Sequence, residues 1–287
     1  MNEPAYLPEY LYKMVHVGNM EYVLQTGLCP CRHPLAAARY IPIGDPHMSR
    51  DRAVMSVPVA PGGFLPEYVP FYFAGRMPML HSMIRADEQL YRWQTEALKG
   101  CVPLFRPRGT GQCSQTEIVF VVCDFQRVTT DFRDWCFTDR HPCNKHVTYY
   151  NTLSDLDKLH WNEILHRNRS LQNKEFCQAE FLLKGLLPVA YIDHLIVFCE
   201  KTKKQMEEIV RQAGLAIPVR CDAGYRVFFP AEEEGRRARD FFPISAPSDA
   251  CDVDEAIDEM MRRQSRFLAL SFCTDVEEAI DLVFKDD

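Results

Sequence analysis

The segment that most restricts the fold of this chain is Val57–Ile84, VPVAPGGFLPEYVPFYFAGRMPMLHSMI. Five prolines and three glycines fall within its 28 residues. Proline fixes φ and removes a backbone donor, and glycine opens the left-handed region, so most of the segment fits neither regular helix nor regular sheet. Irregular loops of this length inside a compact domain are usually functional or disordered. Phe64, Tyr68, Val69, Phe71, Tyr72 and Phe73 are too apolar a set to stay in water. The expectation is an ordered binding loop that leads into a buried strand, Tyr68–Phe73, and then into a helix start near Met77–Pro78.

The chain has 287 residues, 47% hydrophobic and 25% charged, which suits one large or two small globular domains. No apolar run reaches the roughly 18 residues that a membrane helix needs. The opening MNEPAYLPEYLYK lacks a basic region followed by an apolar core, so no secretory signal is legible. The expected location is the cytoplasm, with no membrane partner. The 12 cysteines are scattered, and reduced thiols are the default. Cys29 and Cys31 with His33 form the one tight cluster, which lacks a second pair at metal-site spacing, so no metal is expected. The net charge of −7 is uneven: from Ala231 on there are 7 basic and 16 acidic residues, or −9, which leaves +2 for residues 1–230. The expected division is a domain over 1–230 and an acidic linker with a helical extension over 231–287. The body is not basic enough to announce nucleic-acid binding on charge alone.

Along the chain, Tyr10–His16 reads as a first strand. Gly18 or Asn19 stands where a helix N-cap belongs, ahead of Met20–Leu24, and Gly27 stands where that helix ends. Cys29–Pro46 is a loop rich in Pro, Ala and Arg, and Met48–Met55 carries Arg50, Asp51 and Arg52. Arg85–Gln115 is polar and irregular. Its Gly109-Thr110-Gly111 lacks the spacing and lysine of a phosphate loop. Its Tyr91, Arg92, Trp93, Arg106 and Arg108 suit either base stacking or a solvated loop. Glu117–Asp124 is a continuous apolar run of strand length. Tyr149, Tyr150, Leu153, Leu156 and Trp161 have helix-like spacing. Phe176–Leu183, FCQAEFLL, sets Glu180 in apolar surroundings. A buried carboxylate is costly unless something pairs with it, so Glu180 is either a partnered, functional group or an edge-strand residue facing water. Ile192–Cys199 reads as a buried strand, Thr202–Gly214 as a helix, and Val219–Phe229 as a closing strand.

Several of these stretches together resemble the DarT family of toxins. The carriers are GG-x-L-x-x-YVPFYF-x-x-x-x-PML at Gly62–Leu80, H-x-x-N at His16–Asn19, the Ile-Gly segment at Ile41–Pro46, FTD-x-H at Phe137–His141, YY…L-x-x-LD-x-x-x-W at Tyr149–Trp161, QAE at Gln178–Glu180, and the Gly-aromatic-Phe ending at Gly224–Phe229. They occur in order over about residues 10–229. The resemblance implies an α+β fold, an ADP-ribosyltransferase-like split mixed sheet with flanking helices. It implies NAD as substrate and transfer of ADP-ribose to a base of single-stranded DNA, and it implies a macrodomain antitoxin as partner. Glu180 falls on the family's catalytic glutamate. Arg52 falls on its catalytic arginine when counted back from Val57-Pro58, and a gap in that count would put Arg50 there instead. Lys13, His16, Asn19, Tyr68, Tyr72 and His141 fall on or beside the NAD pocket. Lys13 stands where the family often has His or Arg. The VPFYF and QAE versions resemble the thymidine-modifying branch; guanosine, RNA or protein are the alternative acceptors. An idle NAD- or nucleic-acid-binding module is a third reading, against which the intact Arg52 and Glu180 argue.

Cleavage of the nicotinamide–ribose bond passes through an oxocarbenium-like sugar, and nicotinamide leaves neutral, so no general acid is needed. A carboxylate near the ribose suits the developing positive charge. An arginine is always protonated and makes a poor base, so Arg52 is expected to clamp base oxygens or NAD phosphate.

Overall fold

The computed structural model describes residues 4–43, 46–80, 114–165, 175–222, 224 and 226–229, all of them in one compact unit. Residues 85–113 of the polar stretch and the acidic segment from 231 onward lie outside the described residues. Eight strands, β1 (Tyr10–His16), β2 (Tyr68–Tyr72), β3 (Ile118–Asp124), β4 (Trp135–Thr138), β5 (Tyr149–Tyr150), β6 (Glu180–Lys184), β7 (Ile192–Val197) and β8 (Val219–Cys221), form a sheet in the order β5-β4-β6-β2-β1-β3-β7-β8. All neighbours are antiparallel except β7 and β8, which run parallel. The fold is thus α+β with a mixed sheet, as the resemblance implied.

The sheet consists of two halves joined at one point. β1 and β2 share the single register pair Tyr12↔Tyr72. By contrast, β1 pairs with β3 along its whole length, and β2 pairs with β6 along its whole length. Beyond Tyr12, β1 and β2 therefore part.

β3 is the spine of one half. Its Ile-Val-Phe-Val-Val run is buried on both faces, which is where β-branched and aromatic side chains pack best. Asp124 ends the strand and caps the next helix, its carboxylate accepting from the Arg127 amide at 2.7 Å. One face of the sheet holds the main core: Leu11, Val15, Val69, Phe71, Phe73, Val119, Val121, Phe137, Phe181 and Leu195, packed against Met20, Val23, Phe125, Met206 and Val210. Those last residues come from α1 (Met20–Thr26), α3 (Phe125–Asp131) and α5 (Glu200–Gln212). Two further helices among the described residues are α2 (Pro46–Val54) and α4 (Trp161–Ile164). The other face carries two smaller clusters, one around Met14, Phe120 and Phe228 and one around Val57, Leu65, Tyr68 and Leu182.

The proline–glycine segment is held by its own backbone. Val57 N–H donates to Gly63 O at 2.8 Å and Leu65 N–H to Met55 O at 2.9 Å, around a bridge between Ser56 and Phe64. Lys184 Nζ donates to Gly62 O at 2.9 Å, and Tyr68 Oη to the same oxygen at 2.5 Å. The segment then enters β2, and residues 78–80 begin a helical turn.

Three sequence expectations need correction. Tyr149–Trp161 is not one helix: Tyr149 and Tyr150 form β5, a 3-10 turn covers Leu153–Lys158, and α4 begins at Trp161. The closing strand stops at Cys221, because Asp222 turns the chain by accepting from the amides of Arg226, Val227 and Phe228, each at 2.8 Å. Asn19 does stand at the N-cap of α1, but its side chain makes no cap bond there; both its amide atoms bind the backbone of Ile41, at 2.9 Å each.

Gly27 ends α1 at φ 93°, and a Cβ there would come within 2.3 Å of Leu187 O, the backbone to which the next residue bridges. Gly27→Ala is expected to destabilise the fold by roughly 2 kcal/mol or more, since both conformation and space are refused. The measurement is the urea midpoint at unchanged m-value; an unchanged midpoint contradicts it.

Candidate active site

Glu180 opens β6 directly opposite Tyr72 of β2, beside the bridge where the two half-sheets meet. Alternation along β6 turns Phe181 and Leu183 into the main core and Glu180 and Leu182 to the other face. There the carboxylate is only 2% exposed. A carboxylate at that depth needs a counter-charge, and α2 supplies it. Arg52 Nη1 lies 3.0 Å from each Glu180 oxygen and donates a hydrogen bond to Oε1. Oε2 is buried and accepts no hydrogen bond from the described residues. Burial lowers the Arg52 pKa, but the Glu180 charge and hydrogen bond and the neighbouring Tyr72 outweigh it and leave the group above its ordinary value. Arg52 is therefore a fixed cation.

A second shell of contacts holds Glu180 by its backbone. The Thr138 hydroxyl, fully buried at the end of β4, accepts from Glu180 N–H at 3.2 Å and donates to Arg140 O at 2.6 Å. That carbonyl begins the β4–β5 turn, which carries His141. Asp139 and Arg140 brace the turn: Asp139 accepts from Thr148 N–H at 2.8 Å, and Arg140 bonds Asp139 at 3.1 Å and lies over the Phe176 ring at 4.4 Å. His141 Nδ1 accepts from Cys143 N–H at 3.2 Å, which leaves the other ring nitrogen, Nε2, 3.9 Å from Glu180 Oε1. Burial, opposed by Glu180 and assisted by Arg52, holds the His141 pKa below its ordinary value, so the ring is neutral at neutral pH with its proton on Nε2.

Of the other residues singled out in the sequence, Lys13 stands one position past the Tyr12↔Tyr72 bridge, where β1 and β2 part. Its pKa is lowered to about 8, chiefly by burial and next by Arg52, with Glu180 opposing. Tyr72 is half-buried against Glu180, and burial with that carboxylate raises its phenol. Tyr68 is buried in the neighbouring cluster, with its hydroxyl on Gly62. His16 and Asn19 lie at the far end of β1. His16 Nδ1 accepts from Gly18 N–H at 3.0 Å. Asn19 pins the 29–43 loop through Ile41. Arg52, Glu180, His141, Lys13 and Tyr72 are thus brought together. Arg50 is exposed at the start of the last turns of α2 and shows no bond to Glu180.

The sequence reasoning missed Thr138, Cys143 and Tyr149. Burial raises the Cys143 thiol, and Arg52 is the next influence on it. Tyr149 is raised by burial and also feels Arg52 and Glu180. Thr138 and Asp139 stand in the FTD signal itself, where a buried polar pair inside an apolar strand was the clue. Among the described residues, no group of three or more His, Cys, Asp or Glu side chains is placed to hold a metal ion, and no helix is long and apolar enough to cross a membrane.

Comparison with known proteins adds an independent line. A family profile described as ssDNA thymidine ADP-ribosyltransferase, DarT, matches residues 12–229. A DNA ADP-ribosyl transferase of Thermus aquaticus is 30% identical over 207 residues, 72% of this chain and 82% of that protein. One from Escherichia coli O127:H6 is 28% identical over 220 residues, 75% of this chain and 92% of its own. Among solved structures, Thermus sp. 2.9 DarT in complex with ADP-ribosylated ssDNA superposes with a TM-score of 0.61 at 25% identity, covering 77% of this chain and 97% of that one. The same protein in complex with carba-NAD+ gives a TM-score of 0.56 at 26% identity, covering 75% and 96%.

The ion pair predicts an asymmetry in stability. Arg52→Met strips a buried carboxylate of its cation and is expected to cost roughly 3 kcal/mol. Glu180→Gln keeps the shape and removes the buried charge, and is expected to cost less than about 1 kcal/mol. Urea unfolding of the two variants decides; equal losses contradict the burial argument.

Proposed function

The chain belongs to the DarT family of ssDNA thymidine ADP-ribosyltransferases, and we propose that it is a toxin that transfers ADP-ribose from NAD to thymidine in single-stranded DNA and releases nicotinamide. The observation that carries this reading is the buried Glu180 carboxylate paired with Arg52, whose Nη1 lies 3.0 Å from each oxygen and donates its hydrogen bond to Oε1, leaving Oε2 without one from the described residues. A buried acceptor beside two cations suits a dinucleotide that brings ribose hydroxyls and a negative pyrophosphate. The family membership and the solved relative bound to ADP-ribosylated ssDNA support the same substrates.

The chemistry follows from the geometry. Glu180 Oε2 accepts a hydroxyl of the nicotinamide ribose and faces the positive charge that grows as the glycosidic bond breaks. Nicotinamide leaves neutral. A thymine ring nitrogen forms the new bond to the anomeric carbon, and its proton passes to solvent. Arg52, held charged by Glu180, stabilises the base as it becomes anionic. The neutral His141 ring orients the Glu180 carboxylate from the other side. Tyr72 walls the pocket with Tyr68 beside it, and Lys13 gives positive charge to the NAD phosphates; His16, at the far end of β1, is assigned to the pocket by the family resemblance alone. Asn19 serves by holding the 29–43 loop in place. Single-stranded DNA is the natural partner, because a base stacked in a duplex does not reach such a pocket. We place the protein in the cytoplasm, with a macrodomain antitoxin that removes the ADP-ribose as its partner, in keeping with the family.

Incubation with labelled NAD and an oligonucleotide containing all four bases, followed by digestion and mass spectrometry, is expected to show ADP-ribose on thymidine. ADP-ribose on guanosine instead corrects the base, and an unmodified oligonucleotide contradicts the reading. Glu180→Gln is expected to lower transfer about a hundred- to a thousandfold, the scale for removing a group that acts on developing charge.

Lys13 makes transfer sensitive to alkali. Its charge is complete below a pKa of about 8 and is lost above it. If it binds the NAD phosphates, kcat/KM for NAD falls as pH rises through that value. Lys13→Arg, which stays charged, is expected to remove the fall. A flat profile in the unaltered protein contradicts the assignment.

A further inference from the structure

Beside the catalytic pair lies a surface that the transfer reaction as described does not use. α2 ends at Val54, two residues beyond Arg52. The chain then pairs Ser56 with Phe64, which sets the Phe64 ring next to the C-terminal end of the helix. Phe64 is 43% exposed, Val54 is 74% exposed, and Arg32 is exposed as well. The Arg32 guanidinium lies over the Phe64 ring at 5.6 Å from its centroid and donates from Nη2 to Ala53 O at 2.9 Å. Ala53 is the residue after Arg52. The backbone under this surface is fixed at both strands, by Arg32 N–H to Pro66 O at 3.2 Å and Leu65 N–H to Met55 O at 2.9 Å.

An exposed aromatic ring with an arginine plane against it gains little from the protein itself. Folding leaves the ring's apolar surface in water, where burying it would have been favourable. The arrangement does have the two properties that single-stranded nucleic acid takes up: a π face for a base and a cation for the phosphate beside it. It is also pre-ordered, so a base that docks there orders little further protein.

We infer that Phe64 and Arg32 form a stacking site for a base next to the modified thymidine in the single-stranded DNA. This inference rests on the function proposed above and extends it to the register of the strand. The target base enters at Arg52 and Glu180, and its neighbour stacks on Phe64, whose partner Arg32 bonds the carbonyl of Ala53, the residue after Arg52. The Arg32 charge meets the phosphate of that neighbour. Because every base has a π face, the site tolerates any base and favours purines, which have the larger ring system.

The test is fluorescence anisotropy of a thymidine-containing oligonucleotide across a salt series, paired with steady-state transfer. Phe64→Ala is expected to raise Kd about tenfold at every salt concentration with the salt slope unchanged, since stacking releases no counterion. Phe64→Tyr, which keeps the ring, is expected to restore the affinity. Arg32→Gln is expected to weaken binding and reduce the salt slope by about one. In transfer assays the loss in Phe64→Ala falls on KM for the oligonucleotide, with kcat at saturating DNA within about twofold of the unaltered protein. Phe64 is too exposed for its truncation to disturb the core, and thermal unfolding of the variant checks that. If Phe64→Ala binds the oligonucleotide as tightly as a wild-type protein that modifies thymidine, the stacking site is wrong and the function stands. If the wild-type protein neither binds nor modifies the oligonucleotide, the function fails and this inference fails with it.

Discussion

The site depends on one ion pair, Arg52 with Glu180, between residues 128 positions apart in sequence. A carboxylate 2% exposed is tolerable only beside a fixed cation. Each element near it serves that condition. β2 and β6 bury Glu180 against Tyr72. α2 carries Arg52 into reach. The hairpin after α2 and Arg32 from the preceding loop hold the C-terminal end of the helix by its backbone, through Met55 O and Ala53 O. The Thr138 hydroxyl fixes the backbone of Glu180 and ties it to the turn of His141. The carboxylate is thus held both through Arg52 and through its own backbone, the kind of preorganisation that electrostatic catalysis requires.

The parting of the sheet makes room for this chemistry. Had β1 and β2 paired along their length, the face above Tyr72 would be closed by a continuous row of side chains. They pair once, at Tyr12 and Tyr72, and the two small hydrophobic clusters of that face stay apart on either side. The polar groups occupy the seam between them. This arrangement explains how one sheet supports a large apolar core on one face and a buried, charged site on the other.

Much of this was legible in the sequence, for identifiable reasons. β3 is legible at nearly its true limits because an unbroken apolar, largely β-branched run of strand length is a strong signal, and β1 is legible as the apolar, aromatic stretch Tyr10–His16. Glu180 drew notice because a carboxylate in FCQAEFLL demands a partner; the arginine was found only through family resemblance. α2 is not legible because PHMSRDRAV has no apolar stripe, and a helix held at its C-terminal end and by one ion pair has no periodicity to read. β4 and β5 are short, and Tyr149–Trp161 happened to repeat at helical spacing although the chain turns there. The end of the domain reads as a strand but is none, because Asp222, four to six residues upstream, takes the amides that a strand would have paired. Thr138 shows in the sequence only as a polar residue ending an apolar strand; the backbone it holds, that of Glu180, is 42 residues away and leaves no sign there.

The most direct test of the central claim is a crystal structure with a hydrolysis-resistant NAD analogue. The account predicts a hydroxyl of the nicotinamide ribose within about 3 Å of Glu180 Oε2, with the Arg52–Glu180 contact intact. A ribose bound away from Glu180, or an Arg52 that has left the carboxylate to leave it buried alone, would contradict it.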